Sequence, residues 1–249
     1  MQYEILGSTM QTLSVTLNIG EMLYSQTHSM AWMSDNIRMQ TNTGGGLFAG
    51  VARTFGGGSL FITDFTAEAA GAHISFAPRF PGSILPFKLA AGESIFCRKQ
   101  TFLCAEKSVR FEVAFQKRLG AGFFGGEGFI IQRLTGPGVV WLDLSGEVVT
   151  YELQPGQKLL VHAGHVGAQA PGVTFDIQML KGFGNILFGG EGLFLASLTG
   201  PGKIWLQSMP IMNLAEAIAQ YLPQNSNDSA PQSVAGGIVG GLLNGLLKS

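Results

Sequence analysis

One passage of the chain occurs twice, and a more diverged version of it precedes both copies. Residues 124–142 and 188–206 lie 64 positions apart and are identical at twelve of nineteen places. The register continues upstream, where Gly92-Glu93 aligns with Gly156-Gln157, and Gly20-Glu21 opens the diverged copy. An internal period constrains the architecture more than any other sequence feature. It predicts a single body over 1–209 made of three units, 10–81, 82–145 and 146–209.

Units of this length are too small to bury much surface alone, so we expect them to pack on one another. Three similar units are arranged most simply about a pseudo-threefold axis. The chain of 249 residues is long enough to bury a substantial shared core.

The last copy shows the pattern of short β-strands. Val148–Leu153 is rich in β-branched and aromatic residues, and 154–157 has the composition of a turn. Val173 to Met179 alternates apolar and polar residues, which predicts a strand with one buried face. Two further strands flank Gly200-Pro201-Gly202, which predicts a tight hairpin. The expected fold is therefore all-β, with three small antiparallel units of the sandwich or jelly-roll type.

The repeated glycines resemble phosphate-binding loops, but an apolar strand follows them where such loops need a lysine or a helix. We expect the Gly-Gly-Glu-Gly segments to form elbows between two sheets, because glycine permits positive φ and close backbone approach. The repeated tryptophans are predicted to fill the core of each unit. The repeated structural positions are Gly125, Gly126, Glu127, Gly128, Gly136, Pro137, Gly138 and Trp141, then Gly189, Gly190, Glu191, Gly192, Gly200, Pro201, Gly202 and Trp205.

Composition points to a shared or apolar surface. Charged residues make up 12% of the chain and hydrophobic residues 46%. A chain so poor in charge hides surface in an oligomer or lies against something apolar. The net charge of −1 and the absence of a basic stripe with interleaved aromatics argue against nucleic-acid binding.

Candidate chemical groups are sparse. His162 and His165 could both bind a metal, but two ligands make a weak site and we expect surface histidines. Cys97 and Cys104 could face each other across a hairpin, whereas two buried free thiols fit better. No nucleophile–base arrangement or cofactor motif is present in the sequence, so no catalytic residue and no cofactor is predicted.

The C-terminal part departs from the β pattern. Helical spacing of apolar residues predicts a helix within 210–223, and 224–233 is a polar linker. The apolar segment 234–249 is too short to span a bilayer. It could dock on its own protein or a neighbouring subunit, lie on a membrane surface, or be disordered. With no basic, apolar leader at the start of the sequence, we expect a cytoplasmic protein, with peripheral membrane attachment as the alternative.

Three tandem β units with these Gly-Gly-Glu-Gly and Leu-Thr-Gly-Pro-Gly motifs resemble the family named for altered inheritance of mitochondria, together with its bacterial members of unknown function. The resemblance covers about residues 1–210. It implies three double-stranded β-helix units similar to the tryptophan-RNA-binding attenuator fold, assembled as an oligomer such as a trimer. It also implies a link to membrane organisation in the mitochondrial members, and it carries no catalytic residue.

These observations favour a non-enzymatic oligomeric scaffold or interaction protein, with a homotrimer as the preferred assembly. The alternative is a small-molecule-binding module with a pocket inside or between the units. A metal-dependent enzyme would need at least one more ligand beside His162 and His165.

Overall fold

The computed structural model describes residues 1–26, 29–42, 62–117, 129–180, 193–219 and 221. Within these ranges the chain is built almost entirely of strands, which confirms the all-β class. The strands are β1 (Gln2–Leu6), β2 (Thr12–Leu17), β3 (Met22–Gln26), β4 (Met30–Met33), β5 (Ile37–Asn42), β6 (Ile62–Ala67), β7 (Ala72–Phe76), β8 (Gly82–Leu89), β9 (Ser94–Arg98), β10 (Phe102–Glu106), β11 (Arg110–Lys117), β12 (Phe129–Thr135), β13 (Gly138–Ser145), β14 (Val148–Leu153), β15 (Lys158–His162), β16 (Val166–Gln169), β17 (Thr174–Leu180), β18 (Leu193–Thr199) and β19 (Gly202–Gln207).

The strands form four antiparallel sheets. Sheet 1 has the order β1-β2-β7-β4, and sheet 2 has the order β5-β6-β3-β10-β13-β8. Sheet 3 has the order β11-β12-β9-β16-β19-β14, and sheet 4 consists of β15-β18-β17. Sheets 2 and 3 therefore each combine strands from two successive parts of the chain.

Each of the segments 10–81, 82–145 and 146–209 supplies six strands in the same arrangement. The first, sixth and third strands lie side by side in one sheet, and the second, fifth and fourth lie side by side in the next sheet. Neighbouring segments share a sheet because β3 of the first segment pairs with β10 of the second, and β9 of the second pairs with β16 of the third. Sequence analysis missed β16, whose four residues are too short to show a period.

A closed arrangement would require the third segment to share a sheet with the first. Among the described strands, β4 pairs only with β7 and β15 pairs only with β18. Sheets 1 and 4 are thus separate, and the pseudo-threefold symmetry stays a prediction.

Three hydrophobic cores lie between consecutive sheets. One is formed by sheets 1 and 2, the next by sheets 2 and 3, and the last by sheets 3 and 4. Sheets 2 and 3 are buried on both faces. For example, β13 directs Val140 into one core and the adjacent Trp141 into the other. Neighbouring segments therefore share side chains as well as backbone hydrogen bonds.

The expected Gly-Pro-Gly hairpin is wrong. β12 belongs to sheet 3 and β13 to sheet 2, so Gly136-Pro137-Gly138 carries the chain from one sheet to the other. Gly136 is required because a Cβ there would lie 2.5 Å from the carbonyl oxygen of Ala90. Gly200-Pro201-Gly202 makes the same change of sheet between β18 and β19. Each Gly-Pro-Gly loop packs on the turn between the first two strands of its own segment. The strands before and after the loop therefore lie in different sheets.

The Gly-Gly-Glu-Gly segments lie outside the described residues, so the predicted roles of Gly125, Gly126, Glu127, Gly128 and of Gly189, Gly190, Glu191, Gly192 are not tested. The strands that flank the first of these segments are antiparallel neighbours, with Lys117 opposite Phe129.

The first turn of each segment is built in the same way. The backbone N–H groups of Asn18, Ala90 and Gln154 donate to the side chains of Glu21, Glu93 and Gln157, at 2.7, 2.8 and 2.9 Å respectively. The glycine before each acceptor has a positive φ, between 76° and 83°. The turn predicted at 154–157 is confirmed.

The single described α-helix, α1 (Ile211–Ala219), lies within the predicted 210–223. The linker 224–233 and the segment 234–249 lie outside the described residues. No helix in the described part of the chain is long and apolar enough to cross a membrane.

Candidate functional site

An open groove lies beside β15, at the end of the series of sheets. Its volume is about 360 Å³, and one wall comes from sheet 3 while the other comes from the edge of sheet 4. The lining residues are Val149, Tyr151, Leu159, Leu160, Val161, His162, His165, Leu206, Gln207 and Ser208.

Large apolar side chains of this groove are unusually accessible. Leu160 is 59% exposed, Tyr151 47% and Val149 45%. Their environment follows from their place in the last segment. In β3 and β9, the positions equivalent to Leu160 hold Tyr24 and Phe96, as the strand registers show.

Both of those equivalent residues are covered by the following segment. The Tyr24 ring stacks on Phe102 of the second segment, with centroids 5.6 Å apart. Phe96 packs against the core between sheets 3 and 4. Leu160 is exposed because no further segment follows it within the described residues.

Tyr151 is likewise exposed at a position where its counterpart in the preceding segment is covered. It lies opposite Ile204 in β19, as Phe87 lies opposite the equivalent Val140 in β13. The Trp205 ring meets Phe87 edge to face, with centroids 5.0 Å apart. Tyr151 presents its ring to solvent at the place where Phe87 receives a tryptophan from the next segment.

The two histidine rings lie close together, and the ring of His165 is held by hydrogen bonds. Their ring centroids are 5.8 Å apart. His165 Nδ1 donates to the carbonyl oxygen of Gln207 at 2.8 Å, which leaves Nε2 to accept from the Asn213 amide at 3.5 Å. Burial lowers the pKa of His162, and the charges of His165 and Arg98 lower it further. Within the described residues, no group of three or more His, Cys, Asp or Glu side chains could hold a metal ion.

Arg98 occupies in β9 the position that His162 occupies in β15. Its guanidinium donates from Nη1 to the carbonyl oxygen of Gly164 at 2.7 Å and lies 5.1 Å from the centre of the Phe129 ring. Burial lowers its pKa to about 10, and the group keeps its charge at neutral pH. Arg98 thus joins the second segment to the third, which gives this position a role in connecting segments.

The tryptophans are placed differently from the prediction. Trp141 is fully buried, but it packs in the core between sheets 1 and 2 and not in the core of its own segment. Trp205 likewise packs against the core of the segment before it. Each tryptophan packs on the preceding segment because its strand extends a sheet of that segment. β13 lies in the same sheet as β3, β5 and β6 of the first segment, and β19 lies in the same sheet as β9, β11 and β12 of the second.

A third tryptophan completes the pattern. Trp141 lies opposite Cys104, and Trp205 lies opposite Ala168. In sheet 1 the pair is reversed, since Ser75 stands at the tryptophan position and Trp32 lies opposite it on β4. Trp32 is 54% exposed.

The cysteines are buried free thiols, as predicted. Cys97 lies in sheet 3 and Cys104 in sheet 2, so they do not face each other across a hairpin. Burial raises the pKa of Cys97 to about 12, which leaves it protonated and unreactive at neutral pH.

Sequence analysis did not identify Trp32, Tyr151 or Leu160. The signal that finds them is the strand register, because alignment by sequence alone places Ile74 near the tryptophan position. The structure shows that Ser75 is the equivalent residue, and Ser75 leads directly to Trp32.

The fold and the groove define an all-β protein of sheet-sharing segments that ends in an open apolar edge. Residues 3–209 match the family described as Mitochondrial biogenesis AIM24, and the chain belongs to this family. An uncharacterized protein of Streptococcus pyogenes serotype M6 is 28% identical over 224 residues, which cover 86% of this chain and 88% of that protein. A crystal structure of a Streptococcus pyogenes protein superposes with a TM-score of 0.72 at 24% identity, covering 89% of this chain and 99% of that one, and shows the same fold.

Proposed function

We propose that this chain is a non-enzymatic interaction protein that serves as the building unit of a homo-oligomeric scaffold. The observation that supports this proposal is the apolar groove along β15, where Val149, Tyr151 and Leu160 are between 45% and 59% exposed. Apolar surface left in water costs roughly 25 cal/mol per Å². A contiguous apolar patch beside an open strand edge is typical of a surface that another protein covers.

The hydrogen bonds of His165 and Gln207 support a structural role for these two groups of the groove. His165 Nδ1 donates a hydrogen bond to the backbone carbonyl of Gln207, and the side-chain amide of Gln207 donates to the Gly164 carbonyl at 2.9 Å. These groups hold the turn after β15 in place. A catalytic base would need a free ring nitrogen directed at a substrate.

A small-molecule-binding module is the second candidate, because a volume of about 360 Å³ lies within the range of ligand pockets. His162 supplies a polar group at the wall of this otherwise apolar groove. A membrane contact through 234–249 is a further proposal, which draws on the family's description as a mitochondrial biogenesis family.

The test is the mass of the full chain in solution, measured by light scattering across micromolar concentrations. A scaffold gives multiples of the 26.4 kDa chain mass, and a trimer gives three times that mass. A monomer throughout refutes the oligomeric proposal. A metabolite screen by thermal shift tests the alternative, since a ligand that binds the folded state raises the unfolding midpoint without changing the mass.

A further inference from the structure

We infer that copies of this chain join head to tail, with β15 of one copy pairing antiparallel with β4 of the next. This inference rests on the proposed scaffold function and names both the surface and the partner, a second copy of the chain.

The chain already contains two junctions of this kind. β3 pairs antiparallel with β10, where Cys104 lies opposite Ser25, and β9 pairs antiparallel with β16, where Ala168 lies opposite Cys97. In both cases the second strand of one segment meets the third strand of the following segment. β15 is the second strand of the last segment, and β4 is the third strand of the first.

Both of these strands lie at sheet edges within the described part of the chain. Proteins commonly protect edge strands with charged residues. Among the edge strands in the described part of the chain, only β4, with the sequence Met-Ala-Trp-Met, carries no charged residue. β15 carries Lys158 at its first residue and has an uncharged apolar stretch from Leu159 to Val161. The charged residues on the other edges are Glu4, Arg38, Lys88, Arg110, Glu112, Lys117, Glu152 and Asp176.

Transfer of the internal register to the new pair places Trp32 opposite Val161 and Met33 opposite Leu160. Trp32 would then lie on the face of the sheet that carries the groove, within reach of Tyr151. This repeats the internal contact in which Trp205 meets Phe87 at 5.0 Å. At each internal junction a tryptophan lies opposite a small residue on the neighbouring strand. Ser75 and Trp32 exchange these two positions, so the new junction would also contain one tryptophan and one small residue.

Leu160 would turn to the opposite face and pack beside Met30 and Met33, which already border the core between sheets 1 and 2. Its counterpart Tyr24 makes this contact internally by stacking on Phe102. The pairing therefore covers Leu160 at one end of the series of sheets and Trp32 at the other. Because the two surfaces differ, the contact is heterologous and generates a ring or a filament.

The experiment uses the full chain with Leu160→Arg or Trp32→Arg. Both side chains are more than half exposed, so each variant is expected to fold, which circular dichroism verifies. Met39→Arg is the matched control, since Met39 is 51% exposed on β5, another edge strand. We expect each interface variant to have the 26.4 kDa mass of one chain and the control to keep the wild-type mass.

Mixing the two interface variants separates head-to-tail contact from other modes. Leu160→Arg retains an intact β4, and Trp32→Arg retains an intact β15, so an equimolar mixture should give a species of two chains and nothing larger. Single variants that dissociate without recovery on mixing would overturn the head-to-tail geometry. A wild-type oligomer that persists in both variants would overturn this interface and leave the scaffold proposal standing, whereas a monomeric wild type overturns both.

A disulfide cross-link tests the register independently. Residues directly opposite in antiparallel strands have Cβ atoms about 4.5–5.5 Å apart, which brings two cysteines at such positions near the separation that a disulfide requires. Met33→Cys mixed with Leu160→Cys should give a covalent dimer on mild oxidation, and neither variant alone should do so. Equal cross-linking of each variant alone, or none in the mixture, contradicts the pairing.

Discussion

Trp141 provides the most demanding test of how the segments are held together. The side chain is fully buried, and its ring meets Tyr3 edge to face with centroids 5.1 Å apart. It belongs to the second segment by sequence and to the core between sheets 1 and 2 by contact. Trp141→Ala should therefore weaken the first segment as well as its own.

The expected cost follows from the burial. Truncation of a buried tryptophan to alanine lowers the free energy of unfolding by about 3–5 kcal/mol. Trp141→Phe keeps most of the apolar surface and removes an indole N–H that has no hydrogen-bond partner among the described residues, so we expect a loss of about 1–2 kcal/mol. Trp32→Ala, measured on the dissociated chain, should change this free energy by less than about 0.5 kcal/mol because the side chain is exposed.

Urea unfolding followed by far-ultraviolet circular dichroism measures these differences. Hydrogen exchange then locates them. In Trp141→Ala, amides of β2 and β7 should lose protection together with those of β13. A loss below about 1 kcal/mol, or one confined to residues 82–145, would refute the view that this tryptophan joins two segments.

Three further changes have defined outcomes. Burial raises the pKa of Asp143 to about 7, above its value in an unfolded chain, so the free energy of unfolding should fall as pH rises from about 4 to about 7. Asp143→Asn should remove that fall and stabilise the protein at pH 8, and urea midpoints that change with pH as in the wild type would contradict it. Lys107 donates to both carboxylate oxygens of Asp64 at 2.7 and 2.6 Å across the first two segments, and Lys107→Ala should lower the free energy of unfolding by about 1–3 kcal/mol, whereas Lys107→Arg should lose less. A chain ending at Pro223 should keep the wild-type circular dichroism spectrum and thermal unfolding midpoint, because the repeated apolar positions all precede Gln207. A much lower midpoint would show that residues 224–249 are part of the core.

Local features were readable from the sequence because they depend on neighbouring residues. Alternation at Val173 to Met179 predicted β17, and the Gly156-Gln157 turn formed as expected. The sheet to which each strand belongs could not be read in this way. The Gly-Pro-Gly loop joins two strands closely in sequence, yet β12 and β13 lie in different sheets because the loop packs over the turn at Ala90.

The groove was also beyond reach of the sequence. Leu160 has the same period-two pattern as its counterparts, the buried Tyr24 and the half-buried Phe96, and the position of β15 at the end of the sheets exposes it. Likewise, Trp141 and Trp205 were recognised as core residues, but the core that each one fills depends on pairing between segments.

Hydrogen exchange of the wild-type chain, measured above and below the concentration of assembly, tests the central claim most directly. Backbone amides in edge strands exchange readily unless another strand covers them. The account predicts that amides of Met30–Met33 and Lys158–His162 gain protection together on assembly, while the edge strands β8 and β14 do not change in backbone protection. Protection gained at only one of the two strands, or at β8 and β14 instead, would contradict head-to-tail sheet extension.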